Sequence, residues 1–288
     1  MPFRKSVLSL AVLLITSASL ALAQGTYTQI DPPGASRTQC IGVNAAGEVS
    51  GFYQDAGGTY HGFLLSGGTY TIIDYNGEGA FVYGINDVGQ VVGLSSSGGF
   101  LYDIATQTFI ETINYPGASV TYPYAINNAG TIVGYFQQVE QIEGFKLVGS
   151  TYTEIAPGRG LADTYVNGIT VSGELALFSS SVNSEGNFLF ANGKYTKIAF
   201  DGMLPNAEVN GISRNGKALA GEYEPNGGGA VAGFLYQNKR SQELQFPGAT
   251  NTFPSGVNDV GEVVGFFEDS SDNIHGFTWT PPADEEKK

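Results

Sequence analysis

A single cysteine, Cys40, stands in the whole chain, so no internal disulfide can hold it together. Cys40 opens an apolar run, Cys40-Ile41-Gly42-Val43, where a small buried thiol is the expected reading, and no repeat supplies a histidine beside it. Histidines are almost as scarce. His61 and His275 are the only two, and a zinc site wants three or four ligands, with no third spaced to join them. Basic residues are outnumbered, 13 Lys and Arg against 27 Asp and Glu, for a formal charge of −14. That balance excludes the electrostatic footprint of a nucleic-acid or anionic-membrane binder, and it helps keep a glycine- and aromatic-rich chain soluble. Helical periodicity is missing after the first two dozen residues, as is any later apolar run long enough to cross a bilayer. The chain also lacks a Gly-x-Ser-x-Gly elbow, a phosphate-cradling loop before a helix, and a legible pair of catalytic carboxylates.

What the chain does have is one sentence written six times. VYGINDVGQVVGL (82–94) is its clearest copy. The others are CIGVNAAGEVSGF (40–52), PYAINNAGTIVGY (123–135), VNGITVSGELALF (166–178), VNGISRNGKALAGEY (209–223) and PSGVNDVGEVVGF (254–266). In each, a polar residue precedes a glycine by three places: Asn44 and Gly47, Asn86 and Gly89, Asn127 and Gly130, Thr170 and Gly173, Ser213 and Gly216, Asn258 and Gly261. This is the grammar of a hairpin built on a type I turn with a bulge. The first side chain caps the turn, and glycine supplies the positive φ that closes it. The apolar runs on either side read as two paired strands covered on both faces.

Two further elements recur. One is an aromatic strand, as at His61-Gly62-Phe63-Leu64 and His275-Gly276-Phe277-Thr278; the other is Tyr-Thr-x-Ile-Asp or a degraded form, as at Tyr27–Asp31 and Tyr70–Asp74. A period of about 41–45 residues suits four short strands per unit and a propeller blade. The phase matters as much as the period. The repeats open on a Tyr-Thr-x-Ile-Asp strand and end on an aromatic one, so the first strand can complete the last blade and leave no free edge. The expected fold is all-β: a six-bladed β-propeller of four-stranded antiparallel blades, closed by the N-terminal strand. A β-solenoid or a pair of smaller sheets is the alternative.

Residues 1–23 read as a secretory signal. Arg4 and Lys5 form the basic region, Val7–Leu20 is apolar, and Ala21-Leu22-Ala23 is a cleavage site. The remainder divides into one propeller domain (24–282) and a short charged tail (283–288), expected to fray. Export to the periplasm or medium follows as an expectation, with no membrane insertion and a monomeric state.

The spacing Ile-Asn-x-x-Gly-x-Val-Val-Gly followed by His-x-Phe resembles the bacterial extracellular HAF-repeat proteins across about residues 27–280. The chain has His-Gly-Phe at 61–63 and 275–277, and its other units lose the histidine. The resemblance implies secretion and a propeller-like β repeat. It implies no activity and transfers no functional residue.

Function is therefore sought on a surface. The outer-to-inner loops and the loops after each second strand fall on one side of an up-down blade. They gather Arg37, Thr38, Phe81, Tyr122, Asp163, Tyr165, Asn206, Glu208, Asn251 and Phe253 around the channel mouth. Aromatics mixed with Asn, Asp and Thr suit a sugar or peptide, and the same aromatics could equally pack between blades. Asp163 and Glu208 lie in equivalent loops of adjacent units and could face one cleft. His61 and His275, in the same slot of neighbouring blades, are the one metal pair to weigh; the acidic loop 268–273 is a calcium candidate without the glycine and distal glutamate of a helix-loop-helix site. No catalytic residue, metal or cofactor is assigned. The expectation is a non-enzymatic propeller with a glycan, peptide or protein ligand, with an extracellular glycoside hydrolase or lyase as the alternative.

Overall fold

The computed structural model describes residues 25–139, 141–157, 163–180, 186–200, 206–225 and 229–282. The leader and the charged tail read from the sequence lie outside the described residues. The described residues form twenty-four strands in six four-stranded antiparallel sheets. The lone strand β1 (Thr26–Ile30) comes first. Blade one follows as β2 (Ala35–Val43), β3 (Val49–Asp55), β4 (Tyr60–Ser66) and β5 (Thr69–Ile73). Blade two is β6 (Ala80–Ile85), β7 (Gln90–Ser95), β8 (Gly98–Asp103) and β9 (Thr108–Ile113). Blade three is β10 (Val120–Ile126), β11 (Ile132–Gln138), β12 (Gln141–Val148) and β13 (Thr151–Ile155). Blade four is β14 (Thr164–Ile169), β15 (Leu175–Ser179), β16 (Gly186–Ala191) and β17 (Lys194–Lys197). Blade five is β18 (Glu208–Ile212), β19 (Ala218–Tyr223), β20 (Ala232–Gln237) and β21 (Arg240–Leu244). Blade six is β22 (Asn251–Val257), β23 (Val263–Glu268) and β24 (Ile274–Thr280), completed by β1. In that closing pair Thr26 stands opposite Thr280, Tyr27 opposite Trp279 and Ile30 opposite Gly276. The ring is a six-bladed propeller latched by its first strand.

Each hairpin turn takes the form its sequence calls for. In the second blade the Asn86 side-chain oxygen accepts from the N–H groups of Val88 (3.2 Å) and Gln90 (2.9 Å), and Gly89 has φ +84°. Thr170 caps with its hydroxyl, accepting from Glu174 N–H at 3.0 Å, and Ser213 accepts from Ala218 N–H at 2.9 Å.

Blades pack through one recurring joint. At Gly62, Gly99, Gly144, Gly233 and Gly276 of the third strands, an added Cβ would meet a side-chain atom of the next blade's innermost strand within 2.4–2.7 Å. Those atoms belong to Val82, Pro123, Val166, Pro254 and Cys40, which seat in the gap that the missing side chain leaves. Apolar burial of this kind, at about 25 cal/mol per Å² removed from water, is what holds a disulfide-free ring. Cys40 is fully buried in the joint, and burial pushes its thiol well above the usual range, which makes it a packing group and an inert one.

Candidate functional site

The innermost strands line the channel with a six-fold set of equivalent positions, and the two ends of that channel differ. At the hairpin-turn end the turns are tied into a circle. Asn44 Nδ2 donates to Asn86 O (3.5 Å), Asn86 Nδ2 to Asn127 O (3.2 Å), Asn127 Nδ2 to Thr170 O (3.2 Å) and Asn258 Nδ2 to Asn44 O (3.2 Å). Thr170 and Ser213 have no such amide. There the link from blade four to blade five is Val171 N–H to Arg214 O at 2.9 Å. The Arg214 side chain, on the blade-five turn, reaches across the channel. It donates to Ile85 O (2.6 Å) and Asn128 Oδ1 (3.0 Å), with Nε 3.2 Å from Asp87 Oδ1. Burial works against its charge, and Asp87 and Asp259 work for it. A cavity of about 70 Å³ lies in the channel at this end, lined mainly by Ile, Val and Gly of the six inner strands and by Arg214. That space is too small for an organic ligand.

The opposite end is open and unequal. The position before the recurring inward joint, paired with its neighbour on the second strand, is Gln39–Phe52, Phe81–Leu94, Tyr122–Tyr135, Tyr165–Phe178, Glu208–Glu222 and Phe253–Phe266 in the six blades. Five of the pairs carry at least one aromatic ring, and blade five carries two carboxyls. Rings run in contact from blade one to blade four. Phe52 lies 4.9 Å from Phe81, Tyr83 5.4 Å from Tyr124, Tyr122 4.9 Å from Tyr135, and Tyr135 5.1 Å from Tyr165 in an edge-on arrangement. Burial raises the phenols of Tyr83, Tyr124, Tyr135 and Tyr165, so all remain neutral donors.

A cleft of about 390 Å³ lies where the arc ends, between blades three, four and five. Tyr124, Tyr135, Tyr165 and Phe178 form its apolar wall; Asp163, Asn167, Ser180, Glu208 and Asn210 supply its polar groups. Among the described residues no Lys or Arg lines it. Glu222 stands beside it. Its Oε2 accepts from Asn210 Nδ2 at 3.0 Å, and Asn210 also donates to Pro254 O at 3.1 Å. Burial, reinforced by the nearby Glu208 charge and opposed by the Asn210 hydrogen bond, pushes the Glu222 carboxyl up to about 7.

The ten candidates read from the sequence divide accordingly. Asp163, Tyr165 and Glu208 meet in the one cleft. Asp163 is also a structural clamp, since its Oδ1 accepts from Ile142 N–H of blade three at 3.0 Å. Phe81 and Tyr122 belong to the aromatic arc, packed against the apolar cluster of Ile41, Phe52 and Tyr83. Phe253 stacks on Phe266 at 4.8 Å, in blade six, outside the cleft. Arg37 and Asn206 do not line the cleft either. Thr38 corrects the wider reading. It is fully buried, because alternation along β2 turns Thr38 and Cys40 inward to the blade-six joint, where a Cβ on Gly276 would meet both. Asn251 is occupied in joining blade five to blade six: its Oδ1 accepts from Val231 N–H, just before β20, at 2.7 Å, and its Nδ2 donates to Glu268 Oε2 at 2.5 Å. Tyr124, Tyr135, Phe178, Asn167, Asn210 and Glu222 escaped the sequence reading. Glu222 carried a signal all the same, as the one charge in a slot otherwise held by Phe52, Leu94, Tyr135, Phe178 and Phe266.

The histidines sit on the third strands of blades one and six, His61 on β4 and His275 on β24. His61 Nδ1 is 2.8 Å from Asp74 and its Nε2 3.3 Å from Asp55; His275 Nδ1 is 2.9 Å from Asp31 and its Nε2 3.7 Å from Asp269. Each is held by carboxylates of its own blade, so the terminal Asp of Tyr-Thr-x-Ile-Asp serves as a histidine partner. Burial opposes protonation of His61, but Asp74 and Asp55 outweigh it and raise its pKa. Asp269, in the acidic loop, is drawn down to about 2 by the Asn273 side chain and by the backbone N–H groups of Asn273 and Ser271. Its oxygens already close the turn, bonding Ser271 and Asn273 N–H at 2.7 and 2.9 Å. Among the described residues no group of three or more His, Cys, Asp or Glu is arranged to hold a metal ion.

No protein-family model matches the sequence, and no curated protein matches it. Solved structures do resemble the fold. TolB from Acinetobacter baumannii is similar at 12% identity with a TM-score of 0.59, over 82% of this chain and 64% of that one. The chain thus spans less than two thirds of TolB. A gluconolactonase from Xanthomonas campestris is similar at 13% identity with a TM-score of 0.53, over 90% and 93% of the two chains. A calcium-binding protein, regucalcin from Agrobacterium tumefaciens, is similar at 12% identity with a TM-score of 0.54, over 90% and 96%. These likenesses are to the propeller fold alone.

Proposed function

We propose that this chain is an exported, monomeric binding or scaffold propeller of the extracellular HAF-repeat kind, taking a glycan, peptide or protein ligand on the open face of its ring. One observation carries the reading: the two loop sets converge on a cleft of about 390 Å³ walled by neutral tyrosines, against a cavity of only about 70 Å³ at the hairpin-turn end of the channel. Rigid aromatic surface beside a few fixed polar groups is the usual make-up of a recognition site. The similar propellers include a lactonase and a calcium binder, so fold supports the architecture and leaves the chemistry to the site. A glycan and peptide array probed with the protein lacking residues 1–23 tests the reading. Hits that weaken at least tenfold in Tyr165→Ala support it; a silent array, or hits indifferent to every substitution on this face, ends it. N-terminal sequencing of exported protein tests the leader, with Gln24 expected as the first residue.

The Glu208–Glu222 pair favours one second reading, an extracellular glycoside hydrolase or lyase. One carboxyl keeps its proton towards neutral pH beside a second carboxyl on the adjacent strand, as acid–base cleavage of a sugar requires. Turnover of a polysaccharide that disappears in both Glu222→Gln and Glu208→Gln would replace the binding reading with this one.

A further inference from the structure

A second space lies in the joint between blades three and four, beside the turns of blade four. On each third strand, the residue two places after the joint position shares its face and looks to the next blade. It is Leu64, Leu101, Leu189 and Leu235 in blades one, two, four and five, Thr278 in blade six and Lys146 in blade three. The leucines close their joints. Leu64 packs with Val82 and Ile85, Leu101 with Ile126 and Ile132, and Leu235 with Val257 and Val263. Beside Lys146 there is instead a cavity of about 680 Å³, within the range of small-molecule sites. A lysine on a sheet can serve only to cover apolar surface with its stem. Such a stem would fill the gap that a leucine fills elsewhere, and here the gap stays open.

The stretches that supply the lining are described without a break, as 141–157, 163–180 and 186–200. Blade three gives Lys146, Thr153 and Ile155; blade four gives Ser172, Phe190 and Asn192. Among the described residues Lys146 is the one Lys or Arg of the lining, and its ammonium makes no ion pair or hydrogen bond. Glu174 also borders the space, but its carboxylate turns to blade five, where a Cβ on Gly216 would lie 3.4 Å from its Oε2. The turn amides of Val171, Gly173 and Glu174 are already bonded, to Arg214 O, Thr170 O and Thr170 Oγ1 at 2.9, 3.1 and 3.0 Å. A phosphate wants more donors than one lysine, commonly a nest of free N–H groups or an arginine fork. A polyanion would meet the field of a chain with formal charge −14. A fatty carboxylate would set its tail against hydroxyls and an amide. One carboxylate on a hydroxylated ring uses every part of the lining. We infer that the crevice between blades three and four binds an acidic sugar. Lys146 takes its carboxylate, Phe190 and Ile155 take its apolar ring face, and Thr153, Ser172 and Asn192 take its hydroxyls. The site shares no lining residue with the open-face cleft, so it stands or falls apart from the function proposed above.

Calorimetric titration of the folded protein with glucuronate and galacturonate, with glucose and galactose as their neutral counterparts, and with hexanoate tests this. One acid or both is expected to bind, and the matching neutral sugar at least about tenfold more weakly, because it lacks the charge that Lys146 answers. Lys146→Met, of like length, should lose about tenfold with the fold intact by circular dichroism. Lys146→Leu should abolish binding and raise the Tm by about 2–4 °C, since a leucine closes the joint as in the other blades. Binding of neither acid overturns the inference, as does equal binding of acid and neutral sugar, or an affinity untouched in Lys146→Met. Hexanoate bound as tightly as the sugar acid overturns the assignment of a sugar. A Tm lowered in Lys146→Leu makes the lysine a packing group and overturns the inference too. Acid binding should survive Tyr165→Ala; if it is lost there and kept in Lys146→Met, the ligand belongs to the open-face cleft and this site falls.

Discussion

Blades six, one, two and three form the longer part of the ring, and blades four and five the shorter. The longer part keeps the repeat and spends it on structure. Asn258, Asn44, Asn86 and Asn127 cap their own turns and hand an amide to the next. In the shorter part, Thr170 and Ser213 can cap but cannot reach across. Asn187 stands where other third strands have glycine, and instead of receiving a side chain it bonds the backbone at the start of β18, its Nδ2 donating to Ala207 O just before the strand at 2.6 Å and its Oδ1 accepting from Val209 N–H at 2.7 Å. Arg214 and the Glu208–Glu222 pair are departures on the same two blades. The lesson is physical: repetition makes a closed ring cheap to specify, and polar side chains collect where it lapses, each needing an arrangement of its own.

The sharpest way to break the comparison is to force the rule of one part on the other. Gly62→Asn should cost about 3 kcal/mol or more, because its Cβ would lie 2.4 Å from Val82 Cγ2 and 2.8 Å from Ile73 O. Asn187→Gly, the reverse exchange, should cost about 1–3 kcal/mol, from leaving Val209 N–H and Ala207 O unpaired in a buried joint. Thermal unfolding that ranks them the other way would sink the account of the joints. Next comes the circle of turns. Asn86→Ala removes two capping bonds and a link to blade three, so a loss of about 2 kcal/mol is expected, against about 1 kcal/mol for Thr170→Ala. At 2–4 °C per kcal/mol for a domain of this size, calorimetry resolves the two.

The carboxyl pair gives a smaller, pH-dependent effect. Glu222 has a folded pKa of about 7, above its ordinary 4.5, so the folded chain holds a proton that the unfolded chain releases between those values. Its charging therefore costs stability as pH rises from about 4.5 to 7. Glu208 and Tyr124 are the titratable neighbours that feel it, and Asn210 is its hydrogen-bond donor. Glu222→Gln should match the parent at pH 4.5 and exceed it by about 1–2 kcal/mol at pH 8, by chemical denaturation at both pH values. No difference at pH 8 would mean that neither burial nor Glu208 presses on it. The smallest effect belongs to the regular part. His61 has a raised pKa, so its contribution is complete below its ordinary value near 6.5 and fades as pH climbs through the folded value. His61→Gln should cost under about 1 kcal/mol at pH 5.5 and next to nothing at pH 9.

Most of the ring was legible because its signals are local or periodic. Asn86 and Gly89 declare a turn within four residues, and the phase of Tyr27–Asp31 against His275–Thr278 declares the closure. The cleft was half legible. Asp163, Tyr165 and Glu208 were found by counting from each turn back to its loop. Glu222 was missed because its meaning appears only when second strands are aligned by register, Glu208 against Glu222 and Tyr165 against Phe178. Thr38 was misplaced because a loop-side position says nothing of which face a strand residue takes. The reach of Arg214 to Ile85 and Asn128 could not be read at all, since those partners become neighbours only once the circle shuts.

The latch itself decides how this protein would respond to tension. Thr26 and Thr280 stand opposite each other, so both described ends leave the sheet at the same corner. A pull between them would load the rungs of that ladder singly, peeling β1 from β24 like a strip of tape, where a pull along the strands would strain every rung together. The ring would open at this seam under low force and leave blades one to five standing, and splicing the two ends while cutting a turn elsewhere would move the weak seam to a site of the experimenter's choosing.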